Sequence, residues 1–474
     1  MLAGLCDGLA LAKGARQMTT KHNPQSDMGR FWRPGWDRYR PMPGGSKMPN
    51  LPPWPLANSQ HPADIRLTRL HELTGGSEGL YWLAQRQAVR RDAQLTPAAR
   101  AFMSTTPGPG ELNADPSDQI FGTLPDGQPF RVKPVGLLAS LLLIGPPRTG
   151  KTTVLALLTL MATAIGVLTI LFDQKLTLYP LMERLLGRSR VARLAMDQLP
   201  LNLIQPHGRT PLSTSINDTV ELLATASRRY RAIECLHDVI ADVMPTLPPD
   251  DYPDLDLLIA GTRRLYMTSK GRDRDLVLGL QQSLDQLQRT SPDVFKYRWT
   301  NTLETLTAPM GRPIVLEDHG LPDWVYLLIL GIFLRRMYTD RKAVGAEHVT
   351  HPIVLATDDG TEHLDKVYDK ESPSNASPIS ATLKVCPEFQ LAFWAVVHNL
   401  VSISDKVISH SRNIIVTGVD GRDLSILAQL LGLNREQLDA LRVLRKDECV
   451  AYMPDTYPKP VYLRITPSWL PPIQ

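Results

Sequence analysis

The chain has 474 residues, enough for two or three domains whose cores need neither disulfides nor metals to fold. Its 52 lysines and arginines against 48 aspartates and glutamates leave a formal charge of +4, so a nucleic-acid partner cannot be read from total charge and would need local basic surface. The cysteines Cys6, Cys235, Cys386 and Cys449 lie far apart without paired spacing, which argues against a zinc site or a disulfide framework and for a reducing, cytoplasmic setting.

Residues 1–15 are only superficially like a signal sequence, because Asp7 interrupts the apolar run and Lys13 and Arg16 follow it. Residues 1–60 read as a Pro-rich, disordered tail, with seven prolines between 31 and 60. Trp32, Trp36 and Trp54 with Arg33, Arg38 and Arg40 could grip nucleic acid by stacking and charge, although most such tails are simply solvated. Residues 61–116 form a small N-terminal module with helical spacing at Leu80, Leu83 and Ala88, closed by Pro-Gly-Pro-Gly at 107–110.

The spacing of Ile120, Phe121, Phe130 and Val132 around Pro125-Asp126-Gly127 predicts a hairpin. Apolar runs of strand length follow at 141–144, 167–172, 314–316, 353–356, 391–397 and 414–416. Helical patterns separate most of them, which predicts an α/β fold, a parallel sheet with helices on both faces. A stretch of mostly helical pattern interrupts this order and is too long for a crossover. The expected division is 117–180 and 310–474 for the two parts of the main domain, with 181–309 as a helical insertion. The longest apolar stretches, 154–171 and 324–333, are broken by glycine or too short for a bilayer, so no membrane span is expected.

Gly145-Pro146-Pro147-Arg148-Thr149-Gly150-Lys151-Thr152 fits G-x-x-x-x-G-K-[ST] between an apolar strand and a helix-forming run, the context in which this pattern binds nucleotide. Backbone amides of Gly145 to Thr153 would surround the phosphates, Lys151 would reach the β and γ phosphates, and Thr152 would offer a hydroxyl to Mg²⁺. ATP and Mg²⁺ are therefore the expected ligands. Asp358 and Asp359, at the end of the 353–356 run, are the candidate metal-side carboxylate and catalytic base. Glu362 is a possible substitute for the base. His398, with Asn399, follows another apolar strand and is the candidate γ-phosphate sensor. Asp173, Gln174 and Lys175 close the second strand at the same edge. Arginines at 184, 188, 190, 193, 228, 229, 231, 263 and 264, continuing to Lys270, Arg272 and Arg274, give the insertion basic surface suited equally to DNA or to solvation.

The order of these parts over residues 119–468 resembles the HerA-FtsK superfamily of ring ATPases, especially HerA-like proteins and TraG/TraD conjugative coupling proteins. Ile120-Phe-Gly-Thr, Phe172-Asp-Gln-Lys, Leu316-Glu-Asp-His-Gly-Leu-Pro, Val397-His-Asn-Leu-Val-Ser-Ile-Ser-Asp, Ser411-Arg-Asn-Ile-Ile-Val and Leu427-Ala-Gln-Leu-Leu-Gly carry the resemblance. It implies a RecA-like P-loop fold, a homohexameric ring with ATP between subunits, and DNA driven through the centre by ATP hydrolysis. Related rings move polypeptide, and a nucleotide switch with little turnover is a third possibility. The family usually has Glu where Asp359 stands and Gln where His398 stands. Its arginine before the fifth strand is missing, with only Lys384 nearby, which leaves Arg412 and Arg422 as candidates to act on a neighbour's phosphate.

Overall fold

The computed structural model describes Leu67, Ala84 and residues 96–107, 115, 118–125, 128–308, 311–372 and 376–465. The Pro-rich tail, most of the N-terminal module and the Asp126-Gly127 turn lie outside the described residues. Of the module, the short helix Pro97–Ala101 is described, capped by the Thr96 side chain, which accepts from the Ala99 amide at 3.3 Å.

The strands are β1 (Gln119–Thr123), β2 (Pro129–Val132), β3 (Leu141–Ile144), β4 (Leu168–Asp173), β5 (Ala192–Ala195), β6 (Ile314–Glu317), β7 (Ile353–Thr357), β8 (Leu391–Val397), β9 (Asn413–Val416), β10 (Glu448–Met453) and β11 (Tyr457–Arg464). They form one sheet in the order β2-β1-β11-β10-β9-β3-β8-β7-β4-β6-β5. From β9 to β5 every neighbouring pair is parallel. From β9 to β2 every pair is antiparallel, so the sheet is mostly parallel with an antiparallel extension.

Alternation along the parallel strands sorts side chains onto two faces. Leu142, Ile144, Ile170, Phe172, Leu355 and Phe393 share one core with Phe333 of the long helix Asp323–Val344. Leu141, Leu143, Leu171, Val354, Ala356 and Trp394 share the other with Val154, Leu157 and Leu158 of the helix Lys151–Ala164. Burial on both sides explains why these strands read as continuous apolar runs.

Two strands depart from the expected pattern. β5, Ala-Arg-Leu-Ala, lies within the stretch expected to be helical and pairs with β6 as the sheet's edge. β10 turns back on β11 through a three-residue connection, which only an antiparallel hairpin can close. Between β5 and β6 run helices including Leu212–Ser227, Leu236–Val243, Leu255–Thr268 and Gly271–Thr290. Leu258, Ile259, Leu280, Leu284 and Leu287 join them to the core cluster on the sheet's long-helix face. Arg335 of the long helix binds Asp218 of Leu212–Ser227 at 2.7 Å, and the buried Arg336 donates to the Leu203 carbonyl. Among the described residues, no helix is long and apolar enough to cross a membrane.

Candidate functional site

β3 delivers the chain to the carboxyl edge of the sheet, where residues 145–150 turn into the helix Lys151–Ala164. Gly145 hydrogen-bonds from its amide to the Val397 carbonyl at 3.2 Å, which ties the loop to β8. Thr149 Oγ1 lies 2.7 Å from Thr417 Oγ1 and 2.9 Å from the Pro146 carbonyl, tying it to the residue after β9. Gly145 cannot carry a side chain here, since a Cβ would collide with Thr417 Oγ1 and lie 2.8 Å from Thr149 Oγ1. Gly150, the helix N-cap, adopts φ +94°, a conformation open to glycine at little cost.

Lys151 is buried, and its Nζ donates to the Gly145 carbonyl at 2.6 Å and the Pro146 carbonyl at 2.7 Å. Burial, reinforced by the charge of Lys175, lowers its pKa to about 8 despite the opposing pull of Asp359. Thr152 and Thr153 open the helix and are half-buried. Loop amides, a buried lysine bonded only to carbonyls and a helix N-terminus are the groups from which a cradle for polyphosphate can be built.

Asp358 and Asp359 follow β7, and β8 separates β7 from β3. Two strand spacings, about 10 Å, therefore lie between the phosphate loop and the acids, with His398 at the end of the intervening strand. Asp358 is buried; its Oδ1 accepts from the Gln174 amide at 3.0 Å, and its Oδ2 has no hydrogen-bond partner. Burial, then the neighbouring Asp173 charge, pushes its pKa up to about 7. An acceptor so placed suits a hydrated cation, which would supply both the donor and the charge it lacks. Among the described residues, no group of three or more His, Cys, Asp or Glu could hold a metal, so an ion here would share its shell with phosphate and water.

Asp359 lies in a different setting. Its Oδ2 is 2.9 Å from Lys175 Nζ and 3.3 Å from His398 Nε2. Burial pushes its carboxyl up, but hydrogen bonding and charge from Lys175 outweigh this and leave it below the usual range. His398 is anchored by its amide to Thr361 Oγ1 at 2.9 Å. Burial and Lys151 together keep its imidazole below its usual pKa.

Most other residues singled out in the sequence have partners within the chain. Both oxygens of Asp173 accept amides, from Thr177, Leu178 and Tyr179 at 2.8–3.2 Å, at the start of the helix Leu178–Leu186. Asn399 holds Ser402. Glu362 is exposed and bonded to Asp323. Arg412 pairs with Asp455, whereas Arg422 and Lys384 are exposed. Many of the insertion's arginines face partners within the chain: Arg193 with Glu317, Arg228 with Glu371, Arg263 with Asp285, Arg264 with Asp242, and Arg274 over the Tyr266 ring. Thr361 and Thr417 are additions from the fold, brought in by sheet order and marked in sequence only by their places after apolar strands.

No family model matches the sequence, and no curated protein matches it. Among solved structures, VirB4 of Thermoanaerobacter pseudethanolicus superposes with a TM-score of 0.59 at 14% identity, covering 75% of this chain and 97% of that one. The chain has a RecA-like P-loop fold. The unbound bacterial conjugative coupling protein TrwBdeltaN70 matches this fold with a TM-score of 0.52 at 12% identity, over 74% of this chain and 90% of that one. The plasmid coupling protein TrwB in complex with the non-hydrolysable ATP analogue ADPNP gives 0.51 at 12% identity, over 74% and 91%. In this RecA-like frame the phosphate loop, Asp358, Asp359 and His398 share one edge of the sheet.

Proposed function

We propose that the chain is an ATP-hydrolysing motor that binds ATP with Mg²⁺ between Gly145–Thr153 and Asp358, and that it drives DNA as a homo-oligomeric, hexameric ring. The observation that carries the reading is the pairing of a glycine-lined loop around a buried, charge-poor lysine with a buried carboxylate oxygen lacking a donor, two strands apart. The chain shares its fold with a conjugative coupling protein, and the DNA part is supported by the resemblance of residues 119–468 to the HerA-FtsK superfamily. Lys270, just before the helix Gly271–Thr290, and Arg272 in its first turn are exposed cations a phosphate backbone could meet, set beside the exposed Asp273 and Asp275.

In this reading Lys151 moves from the loop carbonyls to the β and γ phosphates, and Thr152 and Asp358 hold the metal's shell. Mg²⁺ would neutralise charge as the terminal phosphoryl group transfers. Asp359 accepts a proton from water as the water oxygen bonds to the γ-phosphorus and the bond to the β–γ bridging oxygen breaks, releasing ADP. His398 reports the state of the γ-phosphate. The test is phosphate release with and without DNA, beside Lys151→Ala. Release that rises with DNA and vanishes in the variant supports the motor; release indifferent to DNA removes the DNA part.

One observation favours a nucleotide switch instead. Asp359 is held by Lys175 and His398, and a carboxylate so engaged is a weak base. ATP binding without phosphate release, unchanged by Asp359→Glu, would favour the switch.

A further inference from the structure

Lys175 stands just beyond β4, and its ammonium lies between two residues of the proposed machinery: 2.9 Å from Asp359 Oδ2 and 3.1 Å from His398 Nε2. Neutral His398 cannot satisfy both neighbours at once, because a ring nitrogen that accepts from Lys175 has no proton to donate to Asp359. The ammonium is therefore the cation that holds this cluster together. Its side chain is 40% exposed on a flexible stem, and an ion pair so open to water is weak enough to exchange. A triphosphate resting on Lys151 would bring more negative charge into this space than the single charge of Asp359.

We propose that Lys175 is a γ-phosphate-dependent gate: it holds Asp359 until a triphosphate takes its ammonium, then binds the γ-phosphate while Asp359 turns to the attacking water. The gate rests on the ATPase reading and adds to it a second lysine and a reason for discrimination. ADP lacks the group that draws Lys175 away, so Asp359 stays engaged. Burial first, then the charge of Lys175, lowers the pKa of Lys151, so the two ammonium groups lie near enough to feel each other.

The test compares equilibrium binding of ATP and ADP, each with Mg²⁺, by displacement of a fluorescent nucleotide. Lys175→Ala should weaken ATP about tenfold, the loss of one charge-assisted hydrogen bond, and leave ADP within about twofold. Lys175→Arg should recover most of the preference. Asp359→Asn should tighten ATP by freeing the ammonium, and this gain should vanish when Lys175→Ala is added. The gate is overturned if Lys175→Ala weakens ATP and ADP alike, or if Asp359→Asn tightens ATP equally with and without Lys175. If the wild type binds no ATP, or binds it equally after Lys151→Ala, the ATPase reading fails and the gate with it. Urea unfolding reports that each variant is folded.

Discussion

Asp358→Asn should stabilise the nucleotide-free protein at alkaline pH and destabilise it at acid pH. The wild-type carboxyl is buried, and burial with the Asp173 charge moves its pKa from 3.8 to about 7. The folded state thus holds a proton that the unfolded chain has lost, so stability is full below the unfolded value and declines as pH rises through about 7. The interval corresponds to about 4 kcal/mol of lost stability at about pH 8. Asparagine removes that charge and keeps an oxygen for the Gln174 amide, but it leaves amide donors unpaired where Oδ2 had no partner, at about 1–3 kcal/mol. The variant should gain about 1–3 kcal/mol at about pH 8 and lose about 1–3 kcal/mol at about pH 4, where the wild-type acid is neutral. Urea unfolding at both pH values measures this directly. A difference of one sign at both would refute the argument. Mg²⁺ with ATP should stabilise the wild type much more than the variant.

Gly145→Ala should abolish nucleotide binding through collision with Thr417, and Thr417→Ala should restore part of it, both read by nucleotide titration. Because Lys151 has a pKa of about 8 and phosphate favours its charged form, ATP binding should take up protons at about pH 8–9 and weaken as pH rises. Calorimetry in buffers of different ionisation heat reads this uptake, which Lys151→Met should remove. Gly331→Ala would push a methyl into Leu222 Cδ2, where the long helix meets Leu212–Ser227, and should cost about 1–3 kcal/mol in urea unfolding.

The sequence was most informative where a physical demand leaves little choice of residue. A buried parallel strand must be apolar on both faces, so β3 and β8 match their predicted runs residue for residue. β7 extends its run only by Thr357. The glycines of the loop after β3 are likewise dictated locally, by the close approach at Gly145 and the positive φ at Gly150. β5 was not legible, because an edge strand needs little apolar content and Arg193 at its centre is satisfied by Glu317 on the adjacent strand. β10 was obscured by Glu448, a charged residue buried at its start, which accepts from the Arg445 amide. The grouping of Lys175, Asp359, His398 and Thr361 depends on β8 lying beside β7 and β7 beside β4, a spatial order that separation along the chain does not encode. The sequence leaves the role of Asp173 open, and in the fold both its oxygens accept amides at the start of a helix.

The long helix Asp323–Val344 has 22 residues and so spans about 33 Å. At one end Asp323 accepts from the Gln174 side chain, whose own amide binds Asp358; near the other, Asp340 accepts the Arg209 amide at the root of the insertion. Between them the rod is wedged by Phe333 against Phe172 and clasped by Arg341 to the carbonyls of Phe389, Gln390 and His351. Packing this close resists bending, so the acids' edge of the sheet and the Arg209 segment hang from two ends of one stiff element.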